Sequence, residues 1–442
     1  MYYIIAFSLL YSLKGITSAN LVLYFLPDFI LLVGIFRYAF VNEVKLYLRK
    51  VEKSSNFYPY LGLMVLVGVS IIRSSYPGST GIDYANDLIT FSLFNILTYS
   101  ILSGPFKTRD YFDAIFTRGT LMVVAIPAAL VGLFLVIFMV GAFESGARYQ
   151  SQIENSAILG LLGIGVKAKP IPFTEGMRLS HISLLGAGVM IISYLSARYF
   201  DMVRWKKNLL YAGVGVSALV VLLSDSWGPL LSLLLTAGVL FYYLKFREAK
   251  YIRMGIWIIP LIPVVVMILL TGIFGYSFES KVNLQSDQGV SASTQRMIMW
   301  EKSTDRLLSP GMGHLIGNGQ YAQLNNGVND AFYEIVPQEN VRHIESPRNT
   351  IFQVFMDTGI LGTALLLYVL LLCFDNAVYL FNRGYVGGLI YISFIIFTAF
   401  ASIFESAVGM YNLPYMFTLI IVLLGTIVYR NEFDRIAAED WN

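Results

Sequence analysis

The sequence is poor in cysteine, histidine and charge, and each shortage excludes a class of protein. Only one of the 442 residues, Cys373, is a cysteine, so neither an intramolecular disulfide nor a cysteine metal cluster can form. The three histidines, His181, His314 and His343, do not show zinc-ligand spacing, and we expect no catalytic metal ion and no cofactor. Charged residues make up 13% of the chain, too few to cover a soluble globule of this size.

Apolar runs occupy most of the chain instead. Hydrophobic residues make up 56% and aromatic residues 15%, which predicts an all-α polytopic membrane protein. A helix needs roughly 20 apolar residues to cross the hydrocarbon core of a bilayer, and runs of that length predict about twelve transmembrane helices. Their expected bounds are 2–18, 21–41, 57–73, 85–103, 118–141, 179–200, 208–224, 229–246, 254–274, 350–373, 385–403 and 413–430.

Basic residues in alternate connections predict the topology, because Lys and Arg are retained on the cytoplasmic side of short loops. These residues include Lys45, Arg49, Lys107, Arg109, Arg204, Lys207, Arg247 and Lys250. With twelve spans both termini are cytoplasmic. The chain then divides into nine transmembrane helices in 1–274, one large outward-facing loop in 275–349, and three helices with a short tail in 350–442. The net charge of +3 serves topology, so we expect no nucleic-acid partner.

The large loop is the only long hydrophilic stretch, and long loops of this kind are usually functional. One part of it predicts an amphipathic helix that ends before Pro310, because four residues recur at helical spacing. These residues are Met297, Trp300, Thr304 and Leu307. The glycine-rich run in 311–319 lacks the preceding strand and the following lysine of a phosphate-binding loop, which excludes a nucleotide fingerprint.

The end of this loop predicts an anion site. Pro347 disfavours helix before it, so the next span is expected to begin near Arg348 or Asn349. Free backbone N–H groups at a helix N-terminus and a guanidinium group together suit a phosphate or pyrophosphate. The alternative is that Arg348 only anchors the helix at the membrane interface.

Other outward-facing residues have two possible interpretations, a binding role and a structural role. Arg178 is either an anion ligand or an interfacial side chain paired with Glu175. Four loop aromatics could stack on sugar rings, but such residues more often pack a loop onto the membrane domain. They are Trp300, Tyr321, Phe332 and Tyr333.

The residues around Arg348 resemble a family signature. Arg348-Asn349, nine residues, Gly359, two residues and Gly362 is similar to the motif of the O-antigen ligase and polymerase superfamily, which in ligases begins with His-Asn. Arg348, ten residues and Gly359 also resembles the arginine-glycine motif of Wzy-type O-antigen polymerases. Arginine in the place of histidine favours a polymerase over a ligase.

Further pieces of the family pattern occur in the expected order, over roughly residues 171–373. Arg296, Trp300, Pro310 and Gly317-Asn318-Gly319 are similar to the family's series in the large periplasmic loop. The turn at 223–228 resembles the family's serine-arginine-glycine turn, but Trp227 stands where arginine is usual. Any role of that arginine is therefore not carried over to this chain.

The resemblance implies a GT-C type glycosyltransferase of the bacterial inner membrane with a periplasmic active site. Its substrates would be undecaprenyl-pyrophosphate-linked oligosaccharides, and a growing chain would move from its lipid pyrophosphate to a sugar hydroxyl of another unit, with inversion at the anomeric carbon. The lipid bilayer and a chain-length regulator protein are the implied partners. A ligase that passes the glycan to lipid A core or protein, and a polysaccharide-lipid flippase, are the alternatives.

Charge chemistry suggests roles for the site residues. A departing pyrophosphate develops negative charge that fixed arginines can stabilise, and the candidates are Arg178, Arg296 and Arg348. Glu345 and His343 are the candidates nearest to Arg348 for accepting the proton of the acceptor hydroxyl. The residues expected to bind substrate are Asn349, Glu175, Trp300, His314 and Gly359.

Overall fold

A computed structural model of the protein describes most of the chain. The described residues are 2–12, 21–41, 56–74, 81–103, 179–223, 227–278, 292–309, 313–335, 347–409 and 413–439, with the single residues 116, 119, 128, 132 and 311.

Helices account for nearly all of the described residues, and no strand occurs among them. The membrane-type helices are α1 Tyr2–Ser12, α2 Leu21–Val41, α3 Phe57–Ile72, α4 Gly81–Leu102, α5 Leu179–Tyr199, α6 Arg204–Leu223, α7 Trp227–Phe246 and α8 Lys250–Ile273. The helices between α8 and the last three spans are α9 Ala292–Leu308, α10 Gly313–Ile316, α11 Ala322–Asn325 and α12 Val328–Ile335. The last three are α13 Thr350–Asn382, α14 Gly387–Phe404 and α15 Leu413–Glu439.

The helices agree with the apolar pattern wherever the structure can be compared with it. Eleven of the predicted runs coincide with helices over their described residues, and of the run 118–141 only residues 119, 128 and 132 are described. Within the described part, six helices are long and apolar enough to cross a membrane, and these are α5, α7, α8, α13, α14 and α15. The chain is thus a multi-pass membrane protein, while the number twelve and the GT-C class stay predictions.

Helix α8 shows why local sequence matters inside a span. Pro260 and Pro263 cannot donate backbone hydrogen bonds, and the helix narrows to a 3₁₀ turn at Ile259–Leu261. It ends in a π-helical turn at Ile268–Ile273, which widens it just before the loop. The hydrogen-bonding pattern of this span therefore changes twice along its length.

Helices α14 and α15 form the centre of the bundle. In α14 every residue from Gly387 to Ser402 is buried, and α15 is buried over most of its apolar length. Helix α14 packs against α13, α7 and α5, while α15 packs against α13 and α4. A helix that is apolar on all sides can be surrounded in this way, whereas only 28% of the residues in each of α7 and α8 are buried inside the protein.

Helices α9, α11 and α12 pack on one another and on the start of α13 through a small core of their own. Ile298 and Met299 of α9 are buried with Phe332 of α12 and with Phe355 and Met356 of α13. Helix α9 coincides with the amphipathic helix predicted from Met297 to Leu307, and it ends at Leu308, two residues before Pro310. This small core holds α9, α11 and α12 against the start of α13.

Candidate functional site

Helix α13 is broken near its start. Gly359 has φ +71° and ψ −168°, which no helix contains, and it separates an entry segment, residues 350–358, from the remainder of the span. Every side chain of the entry segment is buried, so this segment is enclosed by protein rather than by lipid. The entry segment is the platform on which the site is built.

Three glycines lock the chain after α10 onto this break. Gly317, Gly319 and Gly359 all have positive φ, and we call them the glycine interlock. A Cβ on Gly359 would lie 2.5 Å from the carbonyl of Leu315, and one on Gly317 or Gly319 would overlap the backbone of Asp357 or Arg73. Only glycine allows backbones to approach this closely.

The interlock satisfies carbonyl groups that the broken helix would leave free. The N–H of Asn318 donates to Met356 O at 2.8 Å, and the N–H of Gly319 donates to Asp357 O at 3.1 Å. The N–H of Gln320 donates to Ser70 O near the end of α3 at 2.8 Å. Buried carbonyls without partners are costly, so the turn at 317–320 is what makes the break stable.

A buried acid completes the interlock. Gln353 donates through Nε2 to Asp357 Oδ1 at 3.0 Å, and the N–H of Ala322 donates to the same oxygen at 3.4 Å. Asp357 therefore ties α11 to the entry segment. Its partners are all structural, and it was not among the residues expected from the sequence.

Arg348 stands at the other end of the entry segment in a constrained backbone position. Its φ of +45° lies in the left-handed region, which costs an L-residue about 1 kcal/mol or more. Such outliers persist where the surroundings fix them. Here the indole N–H of Trp300 donates to Pro347 O at 2.6 Å on one side, and Asn349 is fixed on the other.

Asn349 is the N-cap of α13. Its Oδ1 accepts hydrogen bonds from the N–H groups of Ile351 and Phe352, both at 3.0 Å, and its own carbonyl accepts from the N–H of Gln353 at 3.1 Å. These bonds use backbone donors that the sequence had suggested for a phosphate. The expectation that the N–H groups of Ile351 and Phe352 are free for a phosphate was wrong, because the Asn349 cap occupies both.

The start of α13 is also bonded to the end of α14. Asn349 donates through Nδ2 to Ile403 O at 3.2 Å. The hydroxyl of Thr350 donates to Glu405 O at 2.9 Å and accepts from the N–H of Ala407 at 2.9 Å. These bonds make residues 349–350 and 403–407 immediate neighbours.

Arg296 and Arg348 are linked through one tryptophan. Trp300 lies one helical turn after Arg296, so both lie on the same side of α9, and Trp300 contacts the residue directly before Arg348. Both arginines are partly buried. Arg178, Glu175, Glu345 and His343 lie outside the residues whose side chains the structure describes, so their roles stay predictions.

The other residues expected to bind substrate have structural partners. Trp300 is only 8% exposed, and its ring packs near Phe352 with centroids 6.2 Å apart. The two ring nitrogens of His314 lie 3.0 and 2.8 Å from the carbonyl oxygens of Gly311 and Leu307, which closes the turn after α9. Gly359 serves the interlock. Their part in sugar binding stays a prediction.

The structure places Glu405 near the site, although this residue was not predicted from the sequence. Glu405 follows the last residue of α14 and is 2% exposed. Its backbone contacts Thr350, two residues after Arg348, although 57 positions separate Glu405 from Arg348 in the chain. The one local signal was an acid directly after a long apolar run.

The apolar bundle and the charged, capped end over the broken α13 define a multi-pass membrane protein with a polar site at this end of the described bundle. A family model for O-antigen ligase (Wzy_C) matches residues 212–367, about a third of the chain. The match supports the O-antigen ligase/polymerase superfamily, whose members are membrane glycosyltransferase-like enzymes, and it covers Arg296, Arg348 and the interlock. A search of the curated proteins found no match.

Proposed function

We propose that this chain polymerises undecaprenyl-pyrophosphate-linked oligosaccharide repeat units into a surface polysaccharide. The reaction would take place on the periplasmic face of the bacterial inner membrane, with both termini in the cytoplasm. The match to the O-antigen ligase family supports the superfamily, and arginine instead of histidine at the start of the motif favours a polymerase within it. A chain-length regulator is a proposed partner.

The proposed step is an inverting transfer. A terminal hydroxyl of one lipid-linked unit attacks the anomeric carbon of the growing chain on a second lipid. The new glycosidic bond forms as the bond from that carbon to pyrophosphate oxygen breaks, and the electron pair leaves with the lipid pyrophosphate. Guanidinium groups contact such an oxyanion with two parallel hydrogen bonds, and they act more strongly beside a low-dielectric bilayer.

The observation that carries the proposal is the way in which Arg348 is held. The Trp300 bond fixes the residue before it and the Asn349 cap fixes the residue after it, so the backbone of Arg348 cannot move freely. A residue that only anchored a helix at the interface would need neither contact nor a left-handed conformation. Preorganised charge is the form that stabilises a transition state without reorganisation cost.

A ligase-like transferase is the second candidate, because the matching family model is described as O-antigen ligase. It would use the same donor and the same leaving group, and the same arginines would suit it. The two functions differ only in the acceptor, which is another lipid-linked unit for a polymerase and lipid A core or protein for a ligase.

Gels of surface polysaccharide from cells that lack the protein test the proposal. The cells are complemented with the unchanged chain, with Arg348→Ala, or with Arg253→Ala as a control at the opposite end of the bundle. We expect a ladder from the unchanged chain and the control, and only single-repeat material from Arg348→Ala. Loss of the single-repeat band in the uncomplemented cells would favour the ligase or a flippase instead.

A further inference from the structure

A groove lies between α7, α8 and α14, in the half of the bundle away from α9. Its volume is about 270 Å³, and small residues from all three helices line it, among them Gly238, Gly255 and Ala399. Helices α7 and α8 both pack on α14 rather than closely on each other, although only three residues join them. Among the described residues, no atom lies within 4 Å of a Cβ placed on Gly238. The groove is therefore open space between neighbouring spans.

The lining of the groove suits hydrocarbon. Of the described residues that line it, only Tyr242 and Tyr251 carry a polar side-chain group. A buried water needs about three hydrogen-bond partners, whereas an apolar cavity of roughly 150 Å³ already holds a benzene ring. An empty groove would cost the side chains around it their dispersion contacts. In a bilayer, a segment of a lipid acyl chain is the occupant that these walls favour.

Basic side chains surround the connection between α7 and α8, beside this groove. Lys245, Arg247 and Lys250 are all exposed, and we call them the basic rim. Arg253 is already paired with Asp375 at 3.0 Å, whereas no ion pair of the rim residues occurs in the described part of the chain. The rim therefore offers positive charge to a ligand.

Tyr242 joins the groove to the basic rim. Its side chain lines the groove, and its hydroxyl donates at 3.0 Å to Glu248, the one acid of the connection. Lys245 follows Tyr242 by three residues and so lies on the same side of α7. The guanidinium carbon of Arg247 lies 4.8 Å from the ring centroid of Phe381, which positions this group beside the connection. Apolar walls and positive charge thus belong to one continuous surface.

We propose that the groove and the basic rim bind an anionic phospholipid, with an acyl chain in the groove and the headgroup phosphate at the rim. Basic residues alone would only set the topology, so the adjoining apolar groove is the separate observation that points to a lipid. Basic pockets between transmembrane helices on the cytoplasmic side, where this end of the bundle is predicted to lie, suit such headgroups. The proposal does not rest on the proposed function.

Native mass spectrometry of the full-length protein in detergent tests the headgroup. The probes are phosphatidylglycerol and phosphatidylcholine with the same acyl chains, and we expect the unchanged protein to retain phosphatidylglycerol more tightly. Lys245→Gln with Lys250→Gln should weaken phosphatidylglycerol binding about 25-fold, at about fivefold for each lost charge, and leave phosphatidylcholine unaffected. The control is Lys206→Gln with Lys207→Gln at the start of α6, which should bind as the unchanged protein does.

Gly238→Leu tests the acyl-chain part of the site. The leucine side chain would occupy the open space of the groove, and we expect retention of both lipids to fall about 10-fold, as for a hydrocarbon contact of this size. Gly215→Leu in α6 is the matched control, because a Cβ placed there also has no described atom within 4 Å. We expect this control to retain both lipids normally.

Equal retention of the two lipids by the unchanged protein would overturn the proposal, as would equal retention in Gly238→Leu and Gly215→Leu. Loss of a dimer instead of a lipid in Gly238→Leu would assign the groove to a second copy of the chain and overturn it as well. If Gly238→Leu does not fold, the lysine variants still decide, because unchanged phosphatidylglycerol binding in Lys245→Gln with Lys250→Gln would contradict the site.

Discussion

The two ends of the helix bundle hold their charges in opposite ways. At the end away from α9, arginines form exposed pairs, such as Arg253 with Asp375 at 3.0 Å and Arg430 with Asp434 at 2.8 Å. At the end beneath α9, Glu405 and the cap of α13 are buried and fixed by backbone hydrogen bonds. Exposed pairs of the first kind contribute little stability, whereas buried and fixed groups are costly and therefore indicate function.

The largest loss of stability is expected where the glycine interlock is disturbed. The other end of the bundle has a glycine that serves as a control. Gly359→Ala needs a positive φ and places Cβ against the carbonyl of Leu315. We expect the free energy of unfolding in detergent to fall by about 3 kcal/mol or more, from backbone strain and overpacking together. Thermal unfolding of the purified protein measures it.

Gly384→Ala is the control for that change. Gly384 has φ +93°, but nothing lies within 4 Å of a Cβ placed there. Only the conformational cost of about 1 kcal/mol is expected. Equal losses in the two variants would contradict the interlock as the source of the larger effect.

Removal of the N-cap of α13 is expected to cause the next largest loss of stability. Asn349→Ala removes the acceptor for two N–H groups and the donor to Ile403 O. A lost cap and a lost buried bond together predict about 2 kcal/mol of destabilisation and reduced polymer length. Asn349→Asp keeps the acceptor and should recover most of the stability in the same unfolding assay, so equal instability of both variants would argue against the cap.

A smaller loss of stability is expected when the hydrogen bond from Trp300 to Pro347 O is removed. Trp300→Phe removes the indole N–H and leaves Pro347 O without this donor, at a cost of about 1 kcal/mol. The rate of chain growth should fall further than this stability loss explains, because Arg348 is held less firmly. A variant with lower melting temperature but an unchanged rate per folded molecule would show that the bond has no part in positioning.

The smallest effect is expected at the opposite end. Arg253→Ala breaks the pair with Asp375, whose two side chains are 58% and 43% exposed. We expect a change of at most about 0.5 kcal/mol and a normal polysaccharide ladder. A loss of several kcal/mol, or loss of the ladder, would show that the two ends do not differ as described.

Much of the fold could be predicted because apolar length and helical spacing are local signals. The bounds of α7 and α14 follow from hydropathy, and α9 follows from the recurrence of Met297, Trp300 and Leu307. Asn349 carried a local signal too, since asparagine just before an apolar helix is a preferred N-cap. That signal would have shown that the cap uses some of the N–H groups at the start of the helix.

The remainder of the site depends on contacts between distant residues. Gly317 and Gly359 are each a weak motif alone, and only their contact across the break shows why both are glycine. Glu405 meets Thr350 through tertiary packing, and no spacing in the sequence relates the two residues. Residues 343, 345, 175 and 178 were suggested by sequence, and their roles await measurement.

The most direct test is a reaction with purified full-length protein and lipid-linked repeat units as the sole substrate, analysed by the length of the lipid-linked product. We predict chains of two and more repeats on the lipid pyrophosphate with the unchanged protein and with Arg253→Ala, and only the starting unit with Arg348→Ala. Products that appear only when lipid A core is added, or chain growth that persists in Arg348→Ala, would contradict this prediction.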